Sequence, residues 1–273
     1  MESKLLLGNC LDLLKEVEDK SVDLILCDLP YGTTDRSGIS KNGKNRLLEW
    51  DSVIDLDLLW CQYSRIIKDK GVIVLTADQP FTSKLIMSNL EWFRYEWIWK
   101  KRKTTGFLHA NYRPMKETED IVVFSPSPAS APAGKAGTGM VYNPQGLIPK
   151  VVKKKNNKNR LGNFLNKPDH MGKNNKLLGE SEYIQKFTNY PSEIIEFGLD
   201  DNYHPTQKPV ALMEYLIKTY SNEGDMVLDN CMGSGTTGVA AKKTKRNFIG
   251  MELDPEYFEH ATQRINNFKI ETE

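Results

Sequence analysis

A glycine loop between two predicted elements, M-V-L-D-N-C-M-G-S-G-T-T-G-V at 226–239, narrows the choice of fold for this chain. M-V-L-D predicts a strand and T-T-G-V-A-A-K-K a helix, with Gly233, Gly235 and Gly238 at the G-x-G-x-x-G spacing. Such glycines let a ligand approach the backbone at the carboxyl end of a strand. A second predicted strand, N-F-I-G-M-E, ends on Glu252, which can accept hydrogen bonds from two ribose hydroxyls. The pattern indicates an α/β fold that binds a nucleoside-type ligand.

The acid in front of the glycines helps to decide between two kinds of cofactor. The glycine spacing alone fits either a dinucleotide or S-adenosylmethionine. Asp229 ends the predicted strand, so its carboxylate is expected to point into the ligand crevice. A pyrophosphate there would meet a like charge with little water to screen it, whereas the ammonium and sulfonium of S-adenosylmethionine would be attracted. The sequence therefore favours the methyl donor; the alternative role for Asp229 is to cap the turn that follows.

Three regions of the chain differ in composition. Residues 1–124 alternate short apolar strands with amphipathic helices, and the same pattern returns at 201–273. Aromatic-rich runs near the end of the first region predict late, antiparallel strands. Residues 125–200 begin with a Pro-, Ser- and Gly-rich loop, and no acid occurs between Asp120 and Asp169. We expect a doubly wound mixed sheet built from the two outer regions, with a basic insertion at 125–200.

Composition excludes several classes of protein. Lys and Arg number 37 against 36 Asp and Glu, so overall charge does not indicate a polyanionic partner. The four cysteines lack metal-ligand spacing, and no apolar run approaches the ~20 residues of a membrane span. The N-terminus lacks the pattern of a secretory signal. We expect a soluble, cytoplasmic protein without a metal site or a membrane partner.

Four motifs resemble those of the DNA amino-methyltransferases, which methylate adenine N6 or cytosine N4. D-L-P-Y at 28–31 is similar to the family's acid-Pro-Pro-aromatic box, and D-N-C-M-G-S-G-T-T at 229–237 to its D-P-F-x-G-S-G-T-T loop. H-P-T-Q-K-P at 204–209 resembles an H-P-T-x-K-P element, and G-N-C-L-D-L-L at 8–14 an opening G-D-C-x-x-x-L. Catalytic box, insertion and cofactor loop follow one another in the order of the beta subgroup.

The resemblance implies a sheet of the S-adenosylmethionine-dependent methyltransferase type with an inserted target-recognition region, and it implies the site residues. The catalytic residues would be Asp28, Leu29, Pro30 and Tyr31. The cofactor-binding residues would be Asn9, Cys10, Asp28, His204, Thr206, Lys208, Asp229, Gly233, Ser234, Gly235, Thr236 and Glu252. Lys208 is expected to balance the methionine carboxylate of the cofactor, or otherwise to face solvent beside a helix start.

The chemistry of an exocyclic amino group explains the catalytic box. Its lone pair is delocalised into the ring, so the nitrogen is a poor nucleophile. A carboxylate and a backbone carbonyl that accept its two hydrogens favour a pyramidal nitrogen, and both bonds strengthen as positive charge develops. Asp28 and the carbonyl of Leu29 would supply them, while Tyr31 would stack on a base flipped out of the duplex. Leu29 stands where the family has proline. Asn230-Cys231 stands where the family has Pro-Phe, so the protein's pocket for the adenine of the cofactor differs.

In this family an acid in the first place of the box goes mostly with adenine N6 and a serine mostly with cytosine. Asp28 therefore implies adenine N6, and cytosine N4 is the nearest rival. Further alternatives are a non-catalytic nucleic-acid-binding module with a regulatory S-adenosylmethionine site, a nicotinamide oxidoreductase, and an enzyme that acts on RNA. The resemblance allows a homodimer, a nucleoid location and a cognate restriction endonuclease as a biological, not physical, partner.

Two basic stretches predict contacts to the phosphates of double-stranded DNA. One is V-V-K-K-K-N-N-K-N-R in the insertion, and the other is K-K-R-K at 100–103. A solvated loop is the alternative for each. The expected DNA-binding residues are Lys153, Lys154, Lys155, Lys158, Arg160, Lys101 and Arg102.

Overall fold

The computed structural model describes residues 2–32, 53–130, 137–155, 182–199 and 207–268. They fall into two compact units, Met1–Asn143 with Ser192–Glu273, and Pro144–Pro191. The second unit lies within the region 125–200 that composition sets apart, whereas 192–199 belong to the first unit. No helix in the described ranges is long and apolar enough to cross a membrane.

The first unit is built on an eight-stranded mixed sheet in the order β1-β10-β9-β2-β3-β5-β4-β8. Its strands are β1 Ser3–Leu7, β2 Val22–Asp28, β3 Ile67–Ala77, β4 Phe93–Thr105, β5 Lys116–Phe124, β8 Ile194–Phe197, β9 Met226–Asp229 and β10 Asn247–Glu252. The five strands from β1 to β3 are parallel, and β5 is antiparallel to both β3 and β4. β4 and β8 are parallel. The predicted α/β class and the antiparallel late strands are confirmed.

Helices cover both faces of this sheet. They are α1 Cys10–Leu13, α2 Leu56–Ile66, α3 Phe81–Ser88, α4 Val210–Tyr220, α5 Thr236–Lys243 and α6 Pro255–Asn267. Successive residues of β2 point to opposite faces, so that Leu24 joins the core formed with α4, α5 and α6. Ile25 joins the core formed with α2 and α3 on the other face. The doubly wound arrangement follows from this alternation.

The helix ends follow local sequence signals. Asp254 caps α6 by accepting hydrogen bonds from the backbone N–H of Glu256 at 2.8 Å and Tyr257 at 3.2 Å, with Pro255 in the first turn. Pro209 is the N-cap of α4, and the helix begins at Val210.

The second unit contains an antiparallel pair, β6 Ile148–Lys155 and β7 Glu182–Thr188. Neither strand was predicted from the sequence. V-V-K-K-K does not alternate apolar and polar residues, so the period of two that marks a half-buried strand is missing. The short strand β8 was also missed; it joins the edge of the main sheet beside β4.

Candidate active site

The first unit has a cavity of about 580 Å³ at the carboxyl ends of its parallel strands. β2, β9 and β10 end on Asp28, Asp229 and Glu252, and all three acids line this cavity. The ends of adjacent parallel strands are where open α/β sheets bind ligands. The other predicted residues on its wall are Asn9, Cys10, Leu29, Pro30, Tyr31, Lys101, Lys208, Gly233, Ser234 and Thr236. The D-L-P-Y box and the glycine loop thus face the same space.

The glycine loop turns sharply between β9 and α5. Gly233 has φ +50°, and its N–H donates to Glu252 Oε2 at 2.8 Å. Gly235 has φ +78° and caps α5; a Cβ there would lie 3.0 Å from Ala261 Cβ of α6. Gly235 does not line the cavity, so its expected cofactor role is indirect: it lets the loop pack closely on α6.

Glu252 is held by backbone donors at the cavity wall. Its Oε1 accepts hydrogen bonds from the N–H groups of Leu253 and Asp254, both at 2.9 Å. Burial raises the pKa of this carboxyl, while the three backbone donors from 233, 253 and 254 act in the opposite direction. Each carboxylate oxygen can accept more than one hydrogen bond, so Oε2 keeps capacity for a ligand hydroxyl.

Asp229 combines the two roles considered for it. Its side chain lines the cavity, and its Oδ1 also accepts a hydrogen bond from the N–H of Cys231 at 3.1 Å. Burial raises the pKa of Asp229 to about 6, although Thr237, Cys231 and Cys27 donate hydrogen bonds that favour the charged form. A positively charged ligand group beside Asp229 would lower the free-energy cost of ionising this buried carboxyl.

Asp28 is the centre of a polar network. Its Oδ1 accepts a hydrogen bond from Tyr31 Oη at 2.6 Å and another from the hydroxyl of Thr76. Its Oδ2 accepts one from Lys208 Nζ at 2.7 Å. The Tyr31 ring is stacked on Phe81 with centroids 5.4 Å apart. These contacts fix the carboxylate in place at the end of β2.

Leu29 anchors the catalytic box in another way than the family's proline. Its side chain is buried in the core beneath α2 and α3. Proline fixes φ through its ring, whereas leucine holds the backbone by packing. Leucine carries the same backbone carbonyl as proline, and this is the acceptor that the family resemblance implies.

Lys208 lies between two carboxylates. Besides Asp28, its Nζ lies 3.3 Å from Glu119 Oε2, an ion-pair distance at which the geometry of a hydrogen bond is not met. Burial alone would lower the pKa of Lys208, but Asp28 and Glu119 outweigh it and the pKa is raised. The expected partner was a ligand carboxylate; the partners observed are these two acids, and the ammonium stays charged.

Glu119 and Thr76 were not predicted from the sequence. Glu119 lies on β5 and also pairs with Lys101 of β4, the adjacent antiparallel strand. The only sequence signal was an acid just before the apolar run I-V-V-F, which does not indicate what the acid faces. Thr76 is fully buried at the end of β3, where a hydroxyl is common without a catalytic role.

The cofactor-loop residues that replace the family's Pro-Phe are also engaged. Asn230 is buried and its Oδ1 accepts a hydrogen bond from the hydroxyl of Tyr63 on α2. Cys231 faces Cys10, and this contact, followed by burial, raises the pKa of the Cys10 thiol. Asn9 caps α1 by accepting from Leu11 N–H at 2.9 Å. Asn9 and Cys10 therefore reach the cavity from the start of α1.

The expected DNA-binding residues differ in their exposure, and two of them are not described by the structure. Lys101 is not on the open surface: alternation along β4 places it with Trp99 on the cavity wall, paired with Glu119. Arg102 points the opposite way and its side chain is 70% exposed. Lys153 is exposed on β6, and Lys154 and Lys155 belong to the same strand. Lys158 and Arg160 lie outside the described residues, as do His204 and Thr206, which were expected to bind the cofactor.

Comparison with known proteins defines the class. The DNA methylase family N6_N4_Mtase matches residues 22–263, and the chain belongs to this family. The resemblance noted in the motifs is thereby confirmed, and the chain is a DNA amino-methyltransferase.

Particular relatives cover most of its length. The chain is 30% identical over 270 residues to the type II methyltransferase M1.MboII of Moraxella bovis, covering 96% of each protein. It is 28% identical over 266 residues to the DNA adenine methyltransferase YhdJ of Escherichia coli K12, covering 95% of this chain and 81% of YhdJ. The solved M1.HpyAVI–SAM complex has the same fold, with a TM-score of 0.58 at 24% identity over 96% of this chain and 99% of that one.

Proposed function

We propose that this chain transfers a methyl group from S-adenosylmethionine to N6 of an adenine flipped out of duplex DNA, at a specific sequence. The observation that carries the proposal is that the D-L-P-Y box and the glycine loop line one cavity. In-line transfer requires the acceptor nitrogen and the methyl carbon to meet in one space. The D-L-P-Y box would hold the amino group and the glycine loop the methyl donor, so the two reactants would meet in this cavity.

S-adenosylmethionine fits the donor set on the cofactor side of the cavity. The volume of about 580 Å³ lies in the range of small-molecule sites. Asp229 is a buried carboxylate suited to a cationic group, and Glu252 can accept from a ribose hydroxyl. M1.HpyAVI, a protein of the same fold, has been solved with this cofactor. When bound, it supplies a methyl group on a positively charged sulfur.

Asp28 and the carbonyl of Leu29 then act on the base. Each accepts one hydrogen of the amino group, so the nitrogen lone pair is freed from the ring. As the new N–C bond forms and the C–S bond breaks, nitrogen gains positive charge, which the Asp28 carboxylate stabilises. The nitrogen then loses a proton, and the carboxylate is placed to accept it. Tyr31 and Thr76 keep Asp28 oriented by donating hydrogen bonds to its Oδ1.

The choice of adenine rests on Asp28 in the first place of the box and on the similarity to YhdJ, an adenine methyltransferase. The basic region 125–200, which includes Lys153, is assigned to target recognition on its charge. The outer regions 1–124 and 201–273 are assigned to catalysis and to cofactor binding respectively.

Sequencing of DNA from cells that express the protein, with a readout for both modified adenine and modified cytosine, tests this function. We expect N6-methyladenine at one recurring sequence. Asp28→Ala should abolish the mark while S-adenosylmethionine binding, measured by calorimetry, largely survives. Asp69→Ala is the matched control because that side chain is 90% exposed. N4-methylcytosine alone would assign the enzyme to the other base, and binding without methylation would favour a regulatory module.

A further inference from the structure

The connection between β4 and β5, residues 106–115, is referred to here as the hairpin tip. It carries Phe107, Leu108 and Tyr112, which are 78%, 90% and 88% exposed. These are the three most exposed large apolar side chains among the residues that the structure describes. Single exposed apolar residues are ordinary, but three on one short connection mark an interaction surface.

The tip has a defined backbone. Gly106 has φ +89° and begins a 3₁₀ turn over Phe107–His109. Backbone hydrogen bonds run from His109 N–H to Gly106 O at 2.9 Å and from Ala110 N–H to Phe107 O at 3.0 Å. The exposed side chains are therefore presented from a folded turn, which lowers the conformational entropy lost when they are buried against a partner.

The tip also begins at the rim of the catalytic cavity. Trp99, Lys101 and Thr105 of β4 line that cavity, and Thr105 is the last residue of the strand. Phe107 follows only two residues later. A duplex whose target base lies in the cavity must therefore pass close to the tip.

Charge favours a nucleic acid as the occupant. No Asp or Glu occurs between Glu96 and Glu117, a stretch that contains Lys100, Lys101, Arg102, Lys103, Arg113 and Lys116. Some of this charge is used internally: Lys116 pairs with Asp78, and Lys101 with Glu119. Lys103 and Arg113 have exposed side chains. Apolar residues flanked by exposed cations match a duplex, which offers phosphates outside and stacked bases inside.

We propose that the hairpin tip is a wedge that inserts Phe107 and Leu108 into the DNA helix beside the target base. The inference rests on the proposed function, in which that base leaves the duplex. Opening a base step costs free energy, and inserted apolar side chains replace the lost stacking. Tyr112 offers a further ring for a displaced base, and Lys103 and Arg113 contact the adjacent phosphates.

Comparison of paired and mismatched substrates tests the wedge. The substrate is a duplex with the sequence that the wild-type enzyme methylates, with the target base either paired or mismatched. A mismatched base is already easy to extrude and needs little help. For the double variant Phe107→Ala/Leu108→Ala we expect kcat/KM to fall about tenfold or more on the paired duplex and about threefold or less on the mismatched one. 2-Aminopurine at the target should brighten with wild type and much less with the variant.

Met87→Ala/Leu90→Ala is the matched control, because these side chains are 68% and 56% exposed and neither lines the cavity. It should match the wild type on both duplexes. Unchanged activity of the tip variant, or an equal loss on both duplexes, would overturn the wedge. So would a change of oligomeric state in sedimentation, which would make the tip a contact between copies. If the wild type methylates neither base, the proposed function fails. If the wild type methylates DNA and the tip variant does so equally well, the wedge alone fails.

Discussion

Lys208 is a single buried charge that positions the carboxylate proposed to be catalytic. Its ammonium lies 2.7 Å from Asp28 and 3.3 Å from Glu119, and its side chain is 7% exposed. Without it, two carboxylates would share a partly buried space with no cation between them, which is electrostatically unfavourable. We infer that Lys208 holds the Asp28 carboxylate in its orientation.

Substitution Lys208→Ala should therefore reduce both stability and methylation. Removal of one member of a buried ion pair costs about 3 kcal/mol of unfolding free energy. We expect a loss of that order in urea denaturation and at least about a tenfold loss in kcat. Lys218→Ala, at a side chain that is 49% exposed, is the control and should change neither. Full activity in Lys208→Ala would show that Asp28 does not depend on this cation.

Asp229 predicts a pH dependence of cofactor binding. Its pKa in the free protein is about 6, above the ordinary 3.8, because burial disfavours the charge. Below pH 6 the free protein holds a proton there that a cationic ligand must displace. Affinity should therefore weaken as pH falls, by about tenfold between pH 7 and pH 5. In Asp229→Asn, calorimetry should find weaker binding that varies much less over this range; an equal pH dependence would assign the effect to another group.

The same shift has a consequence for stability. Since the folded pKa of Asp229 lies above its unfolded value, the folded state binds more protons between about pH 4 and pH 6. This group therefore lowers the unfolding free energy as pH rises through that window. Asp229→Asn removes the contribution, so the variant should gain stability relative to wild type from pH 4 to pH 7 in denaturant titrations.

At the scale of elements, the glycine loop depends on α6. Arg264 of α6 donates from one guanidinium nitrogen to the backbone oxygen of Ser234 and to Thr236 Oγ1, each at 3.0 Å. Gly235 brings the loop against Ala261 of the same helix. The position of the cofactor loop is therefore set by packing from a helix far along the chain.

A pair of glycine substitutions separates this packing from backbone strain. Gly235 and Gly224 both have positive φ, +78° and +85°, but an added Cβ meets Ala261 only at Gly235. Gly224→Ala should cost about 1–2 kcal/mol from conformation alone. Gly235→Ala should cost more by about 1 kcal/mol or above, and it should also weaken cofactor binding. Equal losses of unfolding free energy would mean that the loop can yield to a methyl group.

The predictability of the elements follows from how local their signals are. β2, β9 and β10 were predictable because strands buried on both faces read as short apolar runs. In this chain each of the three runs also ends at an acid. The start of α6 was predictable because Asp254-Pro255 is a local cap signal. β6 was not predictable, because its run V-V-K-K-K does not alternate apolar and polar residues.

The whole molecule shows which parts of the site a sequence can indicate. Asp28, Asp229 and Glu252 were found because each follows its own strand, and parallel topology gathers strand ends at one edge. Glu119 was not found, because its partner Lys208 lies far along the chain and on another element. Lys101 was misplaced on the surface because a basic run does not state which of its members alternate inward. Local motifs indicated which residues carry the chemistry. The ion pairs that orient those residues could be identified only from the three-dimensional structure.

We propose that one cavity brings a methyl donor to an amino group held by Asp28. A crystal structure with duplex DNA and sinefungin, whose amine occupies the place of the transferred methyl, tests it directly. We expect the target base out of the helix, with its amino group hydrogen-bonded to Asp28 and the Leu29 carbonyl and facing that amine. The account would be contradicted if the amine pointed away from the D-L-P-Y box, with the base bound elsewhere.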